Sequence, residues 1–225
     1  MKTKVWLVLT VEIALFALLL FGAAGTLRWP EAWVFLVLFI AATIVITLWL
    51  TRYDPALLDE RMKPLLQKGQ PLWDKLLMSF FVVLFVMWLM LMGLDAVRYR
   101  WSHVPVWLEA LGAAGFLVAM WISYLAFREN TFLSAAVRIQ KERGQRVIDT
   151  GPYAVVRHPL YAGVLILLPS IALLLGSAWG VVGALVFDVL IAVRALNEER
   201  ELERGLEGYS EYRQRVRYRL LPGVW

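Results

Sequence analysis

Two short polar blocks in the second half of the chain contain residues whose types and spacing could serve catalysis or ligand binding. The first runs from Thr150 to Gly163 and contains Arg157-His158-Pro159. Proline is favoured at the first helical position, so Pro159 predicts a helix start with His158 at its cap. The free N–H groups and positive dipole of that turn would attract a carboxylate or phosphate. A plain loop, with Arg157 reaching towards lipid phosphates, explains these residues about equally well.

The second block, residues 194–202, combines arginine and glutamate at helical spacing. Arg194 and Glu198 are four residues apart and are expected to meet on one side of a helix. Glu199 lies three residues before Leu202, on an apolar face that continues to Leu206, Tyr209, Tyr212 and Val216. A buried acid needs a polar partner or a ligand. We therefore predict functional roles for Arg194, Glu198 and Glu199, and solvated surface positions for Arg200, Glu201, Glu203 and Arg204.

Two further features are weaker candidates. Gly163 is expected to let a backbone or a ligand approach closely. The segment Asn130-Thr131-Phe132 follows a long apolar run and is either a substrate contact or a simple turn at a helix end.

Hydrophobicity indicates that these blocks belong to an integral membrane protein. Of the 225 residues, 60% are hydrophobic, and the mean hydropathy is +0.65. A helix that crosses the bilayer needs about 20 mostly apolar residues. Several runs qualify, and the last is long enough for a hairpin of two short helices turning near Gly176-Ser177. We predict an all-α bundle of five to six transmembrane helices followed by a cytoplasmic C-terminal helix, with apolar runs at Val5–Leu27, Ala32–Leu50, Leu76–Leu94, Val106–Phe127 and Pro159–Val193.

The basic residues predict the orientation of this bundle. Lysine and arginine accumulate in cytoplasmic segments of membrane proteins. With both termini inside, the outer loops hold only Arg28, Arg98 and Arg100, and the other 20 of the 23 basic residues lie inside. The net charge of +5 is therefore attributed to basic residues that stay on the cytoplasmic side of the membrane, and no nucleic-acid partner is expected. One domain is predicted over 1–225, with four transmembrane helices in 1–127 and the cofactor-binding, catalytic portion in 128–225. The sequence does not indicate the oligomeric state.

The composition also excludes several kinds of chemistry. The chain contains no cysteine, which rules out disulfides, thiolate metal ligands and cysteine nucleophiles. With only His103 and His158, a metal centre built from several histidines is not expected.

The two blocks together resemble a known family of membrane enzymes. Gly-Pro-Tyr at 151–153, Arg-His-Pro-x-Tyr-x-Gly at 157–163, Arg-x-x-x-Glu-Glu at 194–199, Gly-Tyr-x-x-Tyr at 208–212 and Arg-Leu-Leu-Pro at 219–222 occur in this order. This arrangement is similar to that of the isoprenylcysteine carboxyl methyltransferase family, whose superfamily includes phospholipid N-methyltransferases. The resemblance covers roughly Arg138–Trp225.

The resemblance implies that S-adenosylmethionine binds at the cytoplasmic surface, next to a lipid-like or prenylated acceptor that enters from the bilayer. It implies a cofactor pocket with one wall formed by Tyr153, Val156, Arg157, His158, Pro159, Tyr161 and Gly163. The other wall would be formed by Arg194, Glu198 and Glu199, with Tyr209 and Tyr212 behind. Arg194, Glu198 and Arg157 are the candidate catalytic residues.

Several alternatives remain open from the sequence. A carboxylate acceptor would be held by an arginine fork from Arg194 or Arg157, whereas an amine acceptor would lose its proton to a nearby glutamate. A similar Arg-His-Pro-x-Tyr-x-Gly block occurs in membrane sterol reductases, which use NADPH. A transporter or scaffold is less favoured, because transporters place polar groups near the bilayer midplane, and here the polar blocks lie at the ends of spans.

Overall fold

The computed structural model describes residues 2–225, with side chains from Val5 onward, so the side chains of Lys2 and Lys4 lie outside the description. Within that range the chain is helical and has no β-strand, which confirms the predicted all-α class. A π-helix at Leu94–Tyr99 directly follows the α-helix Leu72–Gly93, and short 3₁₀ turns occur at Lys141–Arg143 and Gly151–Ala154. The α-helices are α1 (Lys2–Ala24), α2 (Pro30–Tyr53), α3 (Pro55–Arg61), α4 (Leu72–Gly93), α5 (Val106–Glu129), α6 (Pro159–Leu174), α7 (Ala178–Gly205) and α8 (Tyr209–Arg215).

Five of the described helices, α1, α2, α4, α5 and α7, are long and apolar enough to cross a membrane. This agrees with the lower end of the predicted range of five to six. The 16-residue α6 is apolar but spans only about 24 Å at 1.5 Å per residue. That is shorter than the hydrocarbon core of about 30 Å.

The predicted hairpin after Pro159 is present, but its second helix is not short. Gly176 has a positive φ of 74° at the turn, and the hydroxyl of Ser177 accepts a hydrogen bond from the N–H of Gly180 at 2.8 Å. Helix α7 then runs for 28 residues. No glycine or proline interrupts it between Gly183 and Gly205, so the apolar span and the second polar block form one continuous helix.

The predicted C-terminal apolar face is formed by two helices rather than one. Gly208 has a φ of 80° and separates α7 from α8. Tyr209, Tyr212 and Val216 nevertheless form one buried cluster, against which Leu202, Leu206 and Val147 pack. The face is therefore confirmed as a packing surface, although a left-handed glycine breaks the helix that carries it.

The chain forms two compact units. The first comprises the residues up to Ile46, Phe80–Leu117 and Ile166–Phe187. Its core is aromatic: the ring of Phe16 stacks on Phe39, and Phe187 makes edge contacts with Phe85 and Trp88. The indole N–H of Trp88 donates to the carbonyl of Gly180 at 2.7 Å, which satisfies this buried donor.

The second unit comprises Thr47–Ser79, Val118–Leu165 and Asp188–Trp225. It contains α3, α8, the long connections and the polar ends of several spans. Both polar blocks lie in this unit, and so do all the candidate site residues.

Candidate active site

The segment before α6 is held by pairing with the tail of the chain. The N–H groups of Arg157 and His158 donate to the carbonyls of Tyr218 and Arg219, each at 2.9 Å. Val156 forms an isolated parallel bridge with Tyr218 and is buried. The carbonyl of His158 accepts the first helical hydrogen bond, from Ala162 at 3.0 Å. The predicted helix start with His158 at its cap is therefore confirmed.

Glu199 is the centre of a buried ion cluster. Its carboxylate accepts a hydrogen bond from Arg157 Nε at 2.7 Å and from Arg219 Nε at 2.9 Å. His158 Nε2 lies 3.3 Å from the same carboxylate. Arg157 Nη1 also donates to the carbonyls of Val216 and Arg217, so its Nε and Nη1 donors face protein atoms. With its side chain 3% exposed, Glu199 has the polar partner that a buried acid requires, and that partner is the protein itself.

Glu198 is held differently from its neighbour. The hydroxyl of Tyr161 donates to Glu198 Oε2 at 2.5 Å, and the ring of Tyr161 stacks on His158 with an interplanar angle of 8°. Among the described residues, no lysine or arginine forms an ion pair with Glu198. This carboxylate is therefore fixed in place and has no cationic partner.

The expected pairing of Arg194 with Glu198 is wrong. Arg194 Nε donates to Asp74 Oδ1 of α4 at 2.9 Å, and its Nη2 donates to the carbonyl of Ala135 at 2.6 Å. The 0% exposure of Asp74 explains the preference, because a buried carboxylate requires a cation more than a half-buried one does. Asp74 lies on the first turn of α4, just before the predicted apolar run Leu76–Leu94, and belongs to no motif, so sequence reasoning missed it.

The connection between α5 and α6 also brings to the site residues that the sequence analysis did not single out. Arg138 in this connection donates to Glu60 at 2.9 Å, to Glu142 at 2.6 Å and to Gln67 at 3.1 Å. Burial alone would raise the pKa of Glu60, but hydrogen bonds from Lys63 and Arg138 outweigh it and hold that pKa below its usual value. The connection is thus tied to α3 by charge-assisted bonds.

These elements surround one cavity in the second unit. Arg146 is among its lining residues and is exposed. Burial raises the pKa of Tyr209 above its usual value, so this tyrosine stays protonated. Its buried hydroxyl has no hydrogen-bond partner among the described residues, which leaves a polar group for a ligand to satisfy.

Most predicted cofactor residues line this cavity. They are Tyr153, Arg157, His158, Pro159, Tyr161, Glu198, Tyr209 and Tyr212. Asn130 and Phe132, the weaker candidates, line it as well. Both sequence blocks and the turn after α5 therefore converge on one place.

Four predicted residues do not line the cavity. Val156 pairs with the tail, Glu199 lies within its ion cluster, and Arg194 lies against Asp74. At Gly163, an added Cβ would lie 3.3 Å from the carbonyl of Ala119 on α5. Gly163 thus serves close helix packing, one of the two roles expected for it.

One residue predicted to be on the surface belongs to the cavity. Glu201 lines it and is only partly exposed, whereas the prediction placed it on the solvated face. The other members of that set do behave as surface charges. Glu203 forms an ion pair with Arg213, and Arg200 donates to Asn197.

Residues 107–207 match the model of the phospholipid methyltransferase family. Across these residues the chain is similar to that family. The match spans a little under half of the 225 residues and includes α5, α6, α7 and both polar blocks. It confirms the predicted superfamily. A search of curated proteins finds no match to the chain.

The family match and the five apolar helices support a membrane methyltransferase. They do not favour the reductase alternative. Asp74, Tyr209, Tyr212 and Arg219 lie outside the matched residues, although the structure brings each of them to the site or its supports.

Proposed function

We propose that this methyltransferase transfers a methyl group from S-adenosylmethionine to a lipid-like acceptor bound at the cavity of the second unit. The observation that carries the proposal is Glu198, a carboxylate that faces the cavity without a cationic partner. S-adenosylmethionine carries both an ammonium and a sulfonium, and an unpaired carboxylate attracts such charges.

The protein's own groups orient and enclose the reactants. The cofactor supplies an activated methyl group on a cationic sulfur, and the transfer leaves S-adenosylhomocysteine. Tyr161 holds Glu198 by its hydrogen bond, so the carboxylate is fixed before the ligand arrives. Phe132, Leu133 and Leu160 add apolar lining, which excludes water from the methyl-transfer path.

The paired arginines favour an amine acceptor over a carboxylate. Arg157 and Arg194 were the residues predicted to hold a carboxylate, and both are neutralised by buried acids. An amine headgroup would have to lose a proton, to water or to a nearby glutamate, before its lone pair could form the C–N bond as the C–S bond to the methyl group breaks. An amine-headgroup phospholipid combines this chemistry with the lipid-like character implied by the family.

A labelling experiment tests the acceptor. Purified protein would be incubated with S-adenosylmethionine bearing a deuterated methyl group and with phosphatidylethanolamine vesicles, or separately with S-farnesylcysteine. Mass spectrometry should find the label on the amine lipid. Label found only on the farnesylcysteine carboxylate would contradict the amine assignment.

We also propose that the cavity faces the cytoplasm. Helices α1, α2, α4 and α5 precede the first polar block, and an even number of crossings returns the chain to its starting side. Reporter fusions after Lys68 and after Arg143 should both report cytoplasm, and one after Arg100 should report the opposite side. A cytoplasmic signal at Arg100 would contradict this orientation.

A further inference from the structure

Asp74 is a buried acid on the first turn of α4 that no motif in the sequence marks. Its carboxylate accepts hydrogen bonds from Arg194 Nε at 2.9 Å, from the N–H of Val137 at 2.9 Å and from Gln70 Nε2 at 2.7 Å. Asp74 is 0% exposed and does not line the cavity. It therefore acts on any ligand only through the groups it holds.

Arg194 connects Asp74 to the cavity. The guanidinium carbon of Arg194 lies 5.7 Å from the ring centroid of Tyr161, and the hydroxyl of Tyr161 donates to Glu198 at 2.5 Å. Tyr161 and Glu198 line the cavity, whereas Arg194 does not. The Arg194 guanidinium thus lies over the tyrosine ring and donates its hydrogen bonds to Asp74 and Ala135 rather than to Glu198, although the charge of Glu198 still acts on it.

Arg194 has an alternative partner on its own helix. Glu198 is four residues further along α7, the spacing at which an arginine and a glutamate meet on one helix side. In the structure, Asp74 outcompetes Glu198 for the guanidinium. If Asp74 lost its charge, the nearest carboxylate available to this buried cation would be Glu198.

We propose that Asp74 is a positioning residue that holds Arg194 away from Glu198 and so leaves the Glu198 carboxylate free for the cationic group of the ligand. The inference rests on the proposed function, because the free carboxylate is what attracts the cofactor. It extends the site to α4, outside the residues that match the family.

Two variants separate positioning from simple structural support. In Asp74→Asn, Arg194 should turn to Glu198, and the dissociation constant of S-adenosylhomocysteine should rise at least about tenfold, the cost of one charge-assisted hydrogen bond. In Asp74→Asn/Arg194→Gln no buried cation competes for Glu198, so binding should recover to within about threefold of wild type. Asp59→Asn, an exposed acid on α3, controls for the change of charge.

A binding-independent signal comes from 3-fluorotyrosine incorporated at position 161. Its ¹⁹F resonance should shift in Asp74→Asn, because the guanidinium leaves the ring, and should not shift in Asp59→Asn. A double variant that binds as poorly as Asp74→Asn, or an unshifted resonance in Asp74→Asn, would overturn the proposal. If the resonance shifts but wild-type protein does not bind S-adenosylhomocysteine, the proposed function fails and the positioning role of Asp74 stands.

Discussion

Replacing Glu199 with glutamine is expected to destabilise the second unit and release the tail that follows α8. The change leaves Arg157 and Arg219 without their shared buried counter-charge. Breaking a buried ion pair by removing one partner costs about 3–5 kcal/mol. Because Arg157 also donates to the carbonyls of Val216 and Arg217, the tail should loosen together with the cluster.

Thermal unfolding in detergent and limited trypsin digestion measure this effect. The Glu199→Gln protein should melt at a lower temperature, and trypsin should cut after Arg217 and Arg219 faster than in the wild type. Glu203→Gln is the matched control, since Glu203 is exposed and its ion pair among the described residues is with Arg213, a surface contact worth about 0–1 kcal/mol. Equal melting temperatures for the two variants would show that the cluster contributes little to stability.

Replacing Glu198 with glutamine is expected to impair binding and leave folding nearly unchanged. The amide oxygen of glutamine still accepts the hydrogen bond from Tyr161, but the negative charge in the cavity is lost. Losing a charge-assisted hydrogen bond costs about 1.5–3 kcal/mol, which is about tenfold or more in affinity. The dissociation constant of S-adenosylhomocysteine should therefore rise by at least about tenfold at an unchanged melting temperature.

The Glu203→Gln protein serves as the control here too, with an expected change of less than about twofold. Glu198 and Glu199, neighbours on one turn of α7, are thus expected to differ in role: Glu198 binds the cofactor, and Glu199 stabilises the fold. An affinity for S-adenosylhomocysteine that is equal in wild type and Glu198→Gln would remove the residue from the cofactor site.

Much of the fold was predictable because it depends on local signals. The apolar runs predict the spans, Pro159 predicts the start of α6, and Gly176-Ser177 predicts the turn after it. The length of α7 was not predicted, since the change from apolar to polar residues at Arg194 suggests a helix end that the backbone does not make. Composition changes at a membrane surface, whereas a helix ends where its backbone is broken.

Most residues of the site were predictable from the sequence, but the ion pairs and hydrogen bonds between them were not. Two blocks some 30–40 residues apart in sequence converge on one cavity. The partner of Arg194 was missed because Asp74 precedes it by 120 residues, whereas helical spacing predicts contacts only between residues three or four apart. Glu201 was assigned to solvent as one of several charged neighbours, whereas the structure places it with Tyr209 in the lining of the cavity.

Titration of the purified protein with S-adenosylhomocysteine and, separately, with NADPH tests the central claim most directly. Isothermal calorimetry should give a dissociation constant for S-adenosylhomocysteine in the micromolar range, a binding free energy of about −8 kcal/mol, and no heat of binding for NADPH. Binding of NADPH by a well-folded protein that does not bind S-adenosylhomocysteine would contradict the methyl-transfer account of this cavity.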